Sequence, residues 1–133
     1  MSSRPEHVDP LRVIIITEDD PLYVIRFFEE FFPTIPETIE VIGITVSEAF
    51  HEPIMKTAWR MLRFYGPVDF TRLCARYAMV KLRGRSIERL ASDVGIELFR
   101  TPSVNDAAYL DRLRSLEPDV IMSVAAPEIF RAD

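Results

Sequence analysis

The sequence is poor in the residues that build disulfides, metal sites and phosphate-binding loops. Its single cysteine, Cys74, excludes a disulfide within the chain. The two histidines, His7 and His51, do not form the helical His-Glu-x-x-His pattern of zinc sites, so no metal site is expected. Neither histidine is placed to activate Ser123 or Cys74 as a nucleophile. The four glycines form neither a Gly-x-Gly-x-x-Gly fingerprint nor a Walker loop, which argues against dinucleotide binding.

The sequence also has no apolar run near the roughly 20 residues that span a bilayer. Its opening, Met1-Ser2-Ser3-Arg4-Pro5, lacks the apolar stretch of a signal peptide. We therefore expect a soluble, cytoplasmic protein. The 133 residues, 48% of them hydrophobic, suffice for one compact core but not comfortably for two. A flexible segment at residues 1–10 and a single domain at residues 11–133 are expected.

Charge is distributed unevenly along the chain. Residues 56–89 contain nine basic and two acidic residues, a net charge of +7. Because the whole chain carries −5, the remainder carries −12. A basic surface of this kind attracts anionic partners such as a phosphate, a nucleic acid or a membrane surface. The simpler interpretation, which we favour at this point, is that helices with one buried face expose charged residues on the other.

Four short apolar runs predict buried strands at residues 11–16, 39–46, 96–99 and 120–124. Helical spacing of apolar residues fills the intervals between them. The resulting βαβαβαβ order, with right-handed crossovers, predicts an α/β Rossmann-like three-layer sandwich. Its mostly parallel sheet of about four strands has the order 3-2-1-4 and is incomplete at the edge of the fourth strand. A bare apolar edge favours self-association, so a homo-oligomer is possible.

Local signals predict where the helices begin and end. Asp20 suits the N-cap of the first helix, with Pro21 in its first turn. Gly66-Pro67 divides the tract at residues 53–83 into two helices. Ser86 and Gly95 bound the next helix. Asn105 or Asp106 caps the last one.

The predicted strand order locates a site. Strands one and four are neighbours in the order 3-2-1-4, so the turn at residues 17–21 and the turn at residues 125–130 face one crevice. In open α/β sheets, ligands bind at the carboxyl ends of strands where the strand order reverses. Any ligand site is therefore expected between these two turns.

The acidic turn Thr17-Glu18-Asp19-Asp20-Pro21 is similar to the metal-binding turn of response-regulator receiver domains. Two carboxylates, from Asp19 and Asp20, are ligands that Mg²⁺ accepts. The position of the receiver's phosphoacceptor is filled by Val124 or Ala125, which cannot accept phosphate. Helix capping already explains Asp20. A degenerate receiver-like signalling domain therefore stays a minor alternative.

Two stretches of the chain carry a stronger resemblance. One is the first strand with its turn, Val13-Ile14-Ile15-Ile16-Thr17-Glu18-Asp19-Asp20-Pro21. The other, more specific, is Glu117-Pro118-Asp119-Val120-Ile121-Met122-Ser123-Val124-Ala125-Ala126-Pro127-Glu128-Ile129-Phe130. The chain from residue 11 onwards resembles the amino-terminal part of the catalytic domain of the formyltransferase family. This family of folate-dependent enzymes includes the glycinamide ribonucleotide, methionyl-tRNA and amino-sugar N-formyltransferases.

The resemblance implies transfer of a formyl group from the cofactor 10-formyltetrahydrofolate to an amine substrate. It implies a cofactor-binding loop that lines the pterin pocket, made of Ala126, Pro127, Glu128, Ile129 and Phe130. It also implies a turn that faces the amine-bearing substrate, made of Thr17, Glu18, Asp19 and Asp20. Both sets of residues have a purely structural alternative, as strand ends and helix caps.

The resemblance does not extend to catalysis. In relatives, an Asn-x-His-Pro-Ser segment and a later aspartate polarise the formyl group and manage the proton. Neither segment occurs in this sequence. No catalytic residue is therefore assigned, and the chain is expected to be an inactive front portion that needs the remaining half of the domain. The alternative from another functional class is a non-catalytic α/β module whose basic surface binds an anionic partner, with Trp59, Phe64 and Tyr65 available to RNA or lipid.

Overall fold

A computed structural model describes residues 8–20, 23–48, 54–84 and 86–131. Four parallel strands form one open sheet in the order β3-β2-β1-β4. The strands are β1 (Leu11–Thr17), β2 (Ile39–Ser47), β3 (Leu98–Thr101) and β4 (Val120–Ser123). The predicted α/β fold, strand order and open sheet are confirmed. Pro21, the predicted start of the helical tract at residue 53, and residues 1–7 of the predicted flexible segment lie outside the described residues.

In the described ranges, four α-helices connect the strands. They are α1 (Val24–Phe31), α2 (Ile54–Leu82), α3 (Ile87–Val94) and α4 (Ala107–Leu116), and a short 3-10 turn, Phe32–Thr34, follows α1. Helices α1 and α3 cover one face of the sheet, and α4 covers the other. The molecule therefore has the three layers that the sequence predicts.

Strand β1 lies at the centre of the fold. From Val13 to Thr17 its residues are buried, and Ile14 and Ile15 are fully inaccessible. Because side chains alternate along a strand, Ile15 packs with Phe28 of α1 on one face, whereas Ile14 packs with Tyr109 of α4 on the other. A strand buried on both faces has the continuous β-branched run that the sequence displays.

Strand β2 contains an extra residue where it pairs with β1. The register shifts between Val13, which pairs with Val41, and Ile14, which pairs with Gly43. At Gly43 an added Cβ would lie 2.6 Å from the ring of Phe99, so only glycine fits here without displacing that ring. Gly43 therefore allows the close approach of β2 to Phe99.

The third strand is displaced from its predicted position. The sequence predicts residues 96–99, but β3 runs from Leu98 to Thr101. The reason is the end of α3, where Gly95 adopts φ 74° and the N–H of Ile96 donates to the carbonyl of Ala91 at 2.8 Å. Ile96 is thus part of the helix cap and is not free to pair with β2. The capping roles predicted for Ser86 and Gly95 are confirmed.

The first helix begins later than its predicted cap suggests, whereas the last begins directly after one of its two predicted caps. Helix α1 begins at Val24, and the Asp20 carboxylate accepts a hydrogen bond from the N–H of Tyr23 at 3.4 Å. Helix α4 begins at Ala107 with Asp106 in the N-cap position, but the Asp106 side chain makes no capping bond. The side chain of Asn105 is instead used in the loop contacts described below.

Helix α2 is divided as the sequence predicts, because Gly66 has φ 80° and ψ 167° and Pro67 follows it. Its packing differs from that of the other helices. None of the described side chains between Met55 and Leu82 is buried. Among the described residues, no helix is both long enough and apolar enough to cross a bilayer.

The edge formed by β4 is open, and two of its apolar side chains are exposed. Val120 is 41% exposed and Ile121 is 47% exposed. An exposed edge strand offers unpaired backbone groups to another chain.

We expect the protein to self-associate through the β4 edge. The Ile121→Lys variant should weaken the association by about tenfold or more, because a lysine on an edge strand opposes pairing.

Analytical ultracentrifugation over a range of protein concentrations measures this effect. The matched control is Val94→Lys, an equally exposed apolar residue at the end of α3. A wild-type protein that stays monomeric at high concentration, or an Ile121→Lys variant that associates like the wild type, would show that the edge is not used.

Candidate functional site

The two turns singled out by the sequence begin side by side at the carboxyl edge of the sheet. Ile16 of β1 pairs with Ser123 of β4, and the N–H of Val124 donates to the carbonyl of Ile16 at 2.8 Å. We call residues 17–20 the β1 turn and residues 125–130 the β4 loop. Their shared origin follows directly from the parallel pairing of β1 with β4.

The β1 turn and the β4 loop then diverge to opposite faces of the sheet. The carboxylate of Asp19 contacts Arg100, which also pairs with Glu88 of α3, so the β1 turn is held on the α3 side. Ala126 of the β4 loop packs in the core beneath α4. The two segments thus share a starting edge but lead to different faces of the sheet.

Glu128 fixes the β4 loop in place. Its carboxylate accepts hydrogen bonds from Ser47 Oγ at 3.2 Å, from the N–H of Val104 at 2.9 Å, from Asn105 Nδ2 at 3.2 Å and from Ser103 Oγ. The loop is therefore tied to the end of β2 and to the segment that leads into α4. Desolvation raises the pKa of Glu128, but these four hydrogen bonds outweigh it and hold the pKa below its usual value.

Asn105 extends the same set of contacts. Its Nδ2 also donates to the carbonyl of Ile129 at 3.0 Å, and its Oδ1 accepts from the N–H of Arg131 at 2.9 Å. Asn105 therefore holds the far end of the β4 loop, while Glu128 holds the middle. Of the five residues predicted to bind a cofactor, Ala126 and Glu128 hold the loop in position.

The other predicted loop residues are more accessible. Pro127 is partly buried, whereas Ile129 is 87% exposed and Phe130 is 46% exposed. The loop begins at Ala125, which has a positive φ of 51°, an uncommon conformation for a residue with a Cβ. The accessible part of the β4 loop thus consists of apolar side chains and backbone groups.

In the β1 turn, Thr17 and Glu18 have unusual environments. Thr17 is fully buried, and its Oγ1 has no hydrogen-bond partner among the described residues. Burial, with a further contribution from the negative charge of Asp20, raises the pKa of the Glu18 carboxyl. Glu18 therefore holds a proton more readily than an ordinary glutamate.

Asp19 has a different role, because it belongs to an ion-pair cluster centred on Arg100. The guanidinium lies 3.4 Å from Asp19 and 3.2 Å from Glu48, and it also contacts Glu88. This cluster joins the ends of β1, β2 and β3 to the first turn of α3. Of the four residues predicted to face a substrate, Asp19 is thus occupied by a contact within the protein.

Sequence reasoning missed Arg100, Ser47 and Ser103. The only available signal was that each follows or ends a predicted strand, where parallel strands bring their carboxyl ends to one edge.

Two cavities lie away from the β1 turn and the β4 loop: one of about 180 Å³ between α1 and α3, and one of about 460 Å³ beside β3 and α4. None of the nine predicted site residues lines either cavity. Among the described residues, no group of three or more His, Cys, Asp and Glu side chains could hold a metal ion.

Two buried threonines give the first test of this site. In the Thr17→Val variant, a buried hydroxyl without a described partner is replaced by a methyl group, so we expect the free energy of unfolding to stay equal or to rise by about 1 kcal/mol. The matched control is Thr45→Val. Thr45 Oγ1 lies 2.8 Å from the Tyr109 hydroxyl, and its loss should destabilise the fold by about 1–3 kcal/mol.

Urea denaturation of both variants measures these changes. A loss of more than about 1 kcal/mol in Thr17→Val would contradict this expectation, because it would mean that the hydroxyl is hydrogen-bonded within the protein.

Glu128 gives a test that depends on pH. Because its folded-state pKa is lowered, its stabilising contribution is present above the usual glutamate pKa of about 4.3 and is lost as the pH falls towards the folded value. We expect Glu128→Gln to lower the free energy of unfolding by about 1–3 kcal/mol at pH 7 and by much less at pH 3.

The control for this test is Glu37→Gln, an exposed glutamate in the turn before β2. Denaturation by urea at pH 7 and pH 3 should show no pH-dependent loss for Glu37→Gln. If Glu128→Gln is equally destabilising at both pH values, the ionised carboxylate does not hold the loop.

Comparisons of the chain with protein-family models, with curated proteins and with solved structures found no match. The fold and the positions of these residues are therefore the basis for any functional conclusion.

Proposed function

We propose that this chain is the amino-terminal, folate-binding part of a formyltransferase-type domain acting in the cytoplasm. In the proposed reaction, a formyl group passes from 10-formyltetrahydrofolate to an amine. The observation that carries the proposal is the pairing of β1 with β4, because it starts both resembling segments at one edge of the sheet. The carboxyl edge of a parallel sheet is also where ligands of this fold class bind.

The β4 loop is proposed to hold the pterin ring of the cofactor. A flat, largely apolar ring system is bound by apolar side chains together with a few backbone donors and acceptors. Ile129 and Phe130 are exposed apolar side chains on a loop whose backbone is fixed by Glu128 and Asn105. A loop fixed in this way binds at a lower entropic cost than a mobile one.

The β1 turn is proposed to face the amine-bearing substrate. Glu18 is its candidate contact, while Thr17 is buried at the end of β1 and Asp19 anchors the turn to Arg100. A carboxyl group with a raised pKa exchanges a proton with an amine more readily near neutral pH than an ordinary glutamate does. Asp20, which bonds to Tyr23, fixes the exit of the turn into α1.

Catalysis is proposed to need groups from the family's remaining segment. Attack of an amine on the formyl carbon creates an oxyanion and releases a proton, so it requires an oxyanion donor and a base near the formyl group. The resemblance assigns these roles to asparagine, histidine and aspartate residues that have no counterpart in this sequence. The chain is therefore expected to bind folate without turning it over, and to support formyl transfer when joined to the missing segment.

Isothermal titration calorimetry of the 133-residue chain with 10-formyltetrahydrofolate tests the proposal. We expect saturable binding with Kd below about 1 mM, which corresponds to a binding free energy more favourable than about −4 kcal/mol. The double variant Ile129→Ser with Phe130→Ser should bind at least about tenfold more weakly, because the apolar contact with the ring is lost.

The matched control is the double variant Leu82→Ser with Val94→Ser. These two residues are 86% and 45% exposed, close to the 87% and 46% of Ile129 and Phe130, but they lie on α2 and α3. The proposal fails if the wild type does not bind folate, or if the control variant weakens binding as much as the loop variant does.

A further inference from the structure

Helix α2 has a surface that the folate proposal does not use. Its two halves, on either side of Gly66, expose large apolar side chains that contribute nothing to the described core. Seven of them are more than half exposed: Met55, Trp59, Phe64, Tyr65, Val68, Met79 and Leu82. Exposed apolar residues concentrated on one element indicate an interaction surface.

The apolar residues of α2 include partly buried and exposed sets. In the first half, Ala58, Met61 and Leu62 are partly buried, whereas Met55 and Trp59, one turn apart, are exposed. In the second half, Phe70, Leu73 and Val80 are partly buried, while Val68, Ala75, Met79 and Leu82 follow one another at spacings of seven, four and three and are exposed. A helix with a second apolar stripe has a second surface to cover.

The helix is also basic. Helix α2 contains six basic residues and one acidic residue, Asp69, a net charge of +5. Since the whole chain carries −5, the rest of it carries −10. Lys56 follows Met55, Arg63 lies one turn from Trp59, and Arg72 lies one turn from Val68. Trp59 and Val68 thus each have an arginine one turn away.

From this arrangement we infer that α2 docks on an anionic membrane surface. Exposed apolar and aromatic side chains flanked by lysine and arginine are typical of helices that lie in the headgroup region, with the apolar residues among the acyl chains and the cations at the lipid phosphates. This inference is independent of the folate proposal, since it concerns different residues.

The pattern fits a lipid surface better than the two macromolecular partners. A nucleic acid offers phosphates to the cations and bases to the aromatic rings, but it has nothing to cover Met55, Met79 and Leu82. The centre of a protein interface is depleted of charged residues, whereas cations accompany the apolar residues here. An anionic bilayer covers both sets at once.

Trp59 is the one tryptophan of the chain, and it is 64% exposed on the proposed face. Its fluorescence therefore reports on α2 without labelling. We expect vesicles of phosphatidylcholine with about one third phosphatidylserine to shift the Trp59 emission to the blue, and lipids brominated on the acyl chains to quench it. Vesicles of phosphatidylcholine alone should bind far more weakly, and added salt should release the protein.

Charge-reversal variants test the role of the cations. Lys56→Glu with Arg63→Glu should lower the partition coefficient for anionic vesicles at least about 30-fold, or ~2 kcal/mol at ~1.4 kcal/mol per factor of ten. The control, Arg26→Glu with Arg114→Glu, changes the net charge equally on α1 and α4, at side chains that are 70% and 67% exposed. Its vesicle binding should be close to that of the wild type.

A third variant, Met79→Ser with Leu82→Ser, tests the apolar contribution and should weaken binding at every salt concentration. The inference is overturned if anionic vesicles leave Trp59 unshifted, or if the two charge-reversal variants lose binding equally. It is also overturned if RNA changes the Trp59 emission while brominated lipid does not quench it. A shift of the emission with protein concentration alone would overturn it as well, because α2 would then bind a second copy of the chain.

Discussion

The fold depends on the burial of β1 on both faces and its pairing on both edges. Ile14, Ile15, Ile16 and Thr17 are at most 2% exposed, so the two helical layers and the two neighbouring strands all pack against this one segment. Its pairing with β4 has a functional consequence as well. It is the contact that starts the β1 turn and the β4 loop at the same edge of the sheet.

Polar contacts at that edge divide its residues into two kinds. Glu128, Asn105 and Arg100 bind other parts of the protein and fix the loops. The side chains of Ile129 and Phe130 are exposed and, with Glu18, are the proposed ligand contacts. A loop held by a charged, hydrogen-bonded carboxylate stays in one conformation and can present its backbone to a flat ligand. The fixed backbone of the β4 loop and its exposed apolar side chains therefore occur together at this edge of the sheet.

The sequence predicted those features whose causes are local. The β-branched run of β1 predicted a strand buried on both faces, Ser86 and Gly95 predicted the ends of α3, and Gly66-Pro67 predicted the break in α2. The position of β3 was wrong by two residues because the cap of α3 uses Ile96. The division of roles among residues 126–130 and 17–20 was not predictable, since it depends on Ser47, Ser103 and Arg100, which are distant in sequence. Periodicity in α2 likewise identified apolar stripes but not whether anything in the chain covers them.

The central claim is that ligand binding takes place at the edge shared by β1 and β4. Backbone amide chemical shifts of the isotope-labelled chain, recorded by NMR during addition of 10-formyltetrahydrofolate, test it most directly. The account predicts saturable shifts at Thr17, Glu18 and the residues of the β4 loop, with little change along α2 and the free edge of β3. Shifts concentrated beside β3 and α4, in the cavity lined by Phe99 and Arg112, or no shifts at all, would contradict it.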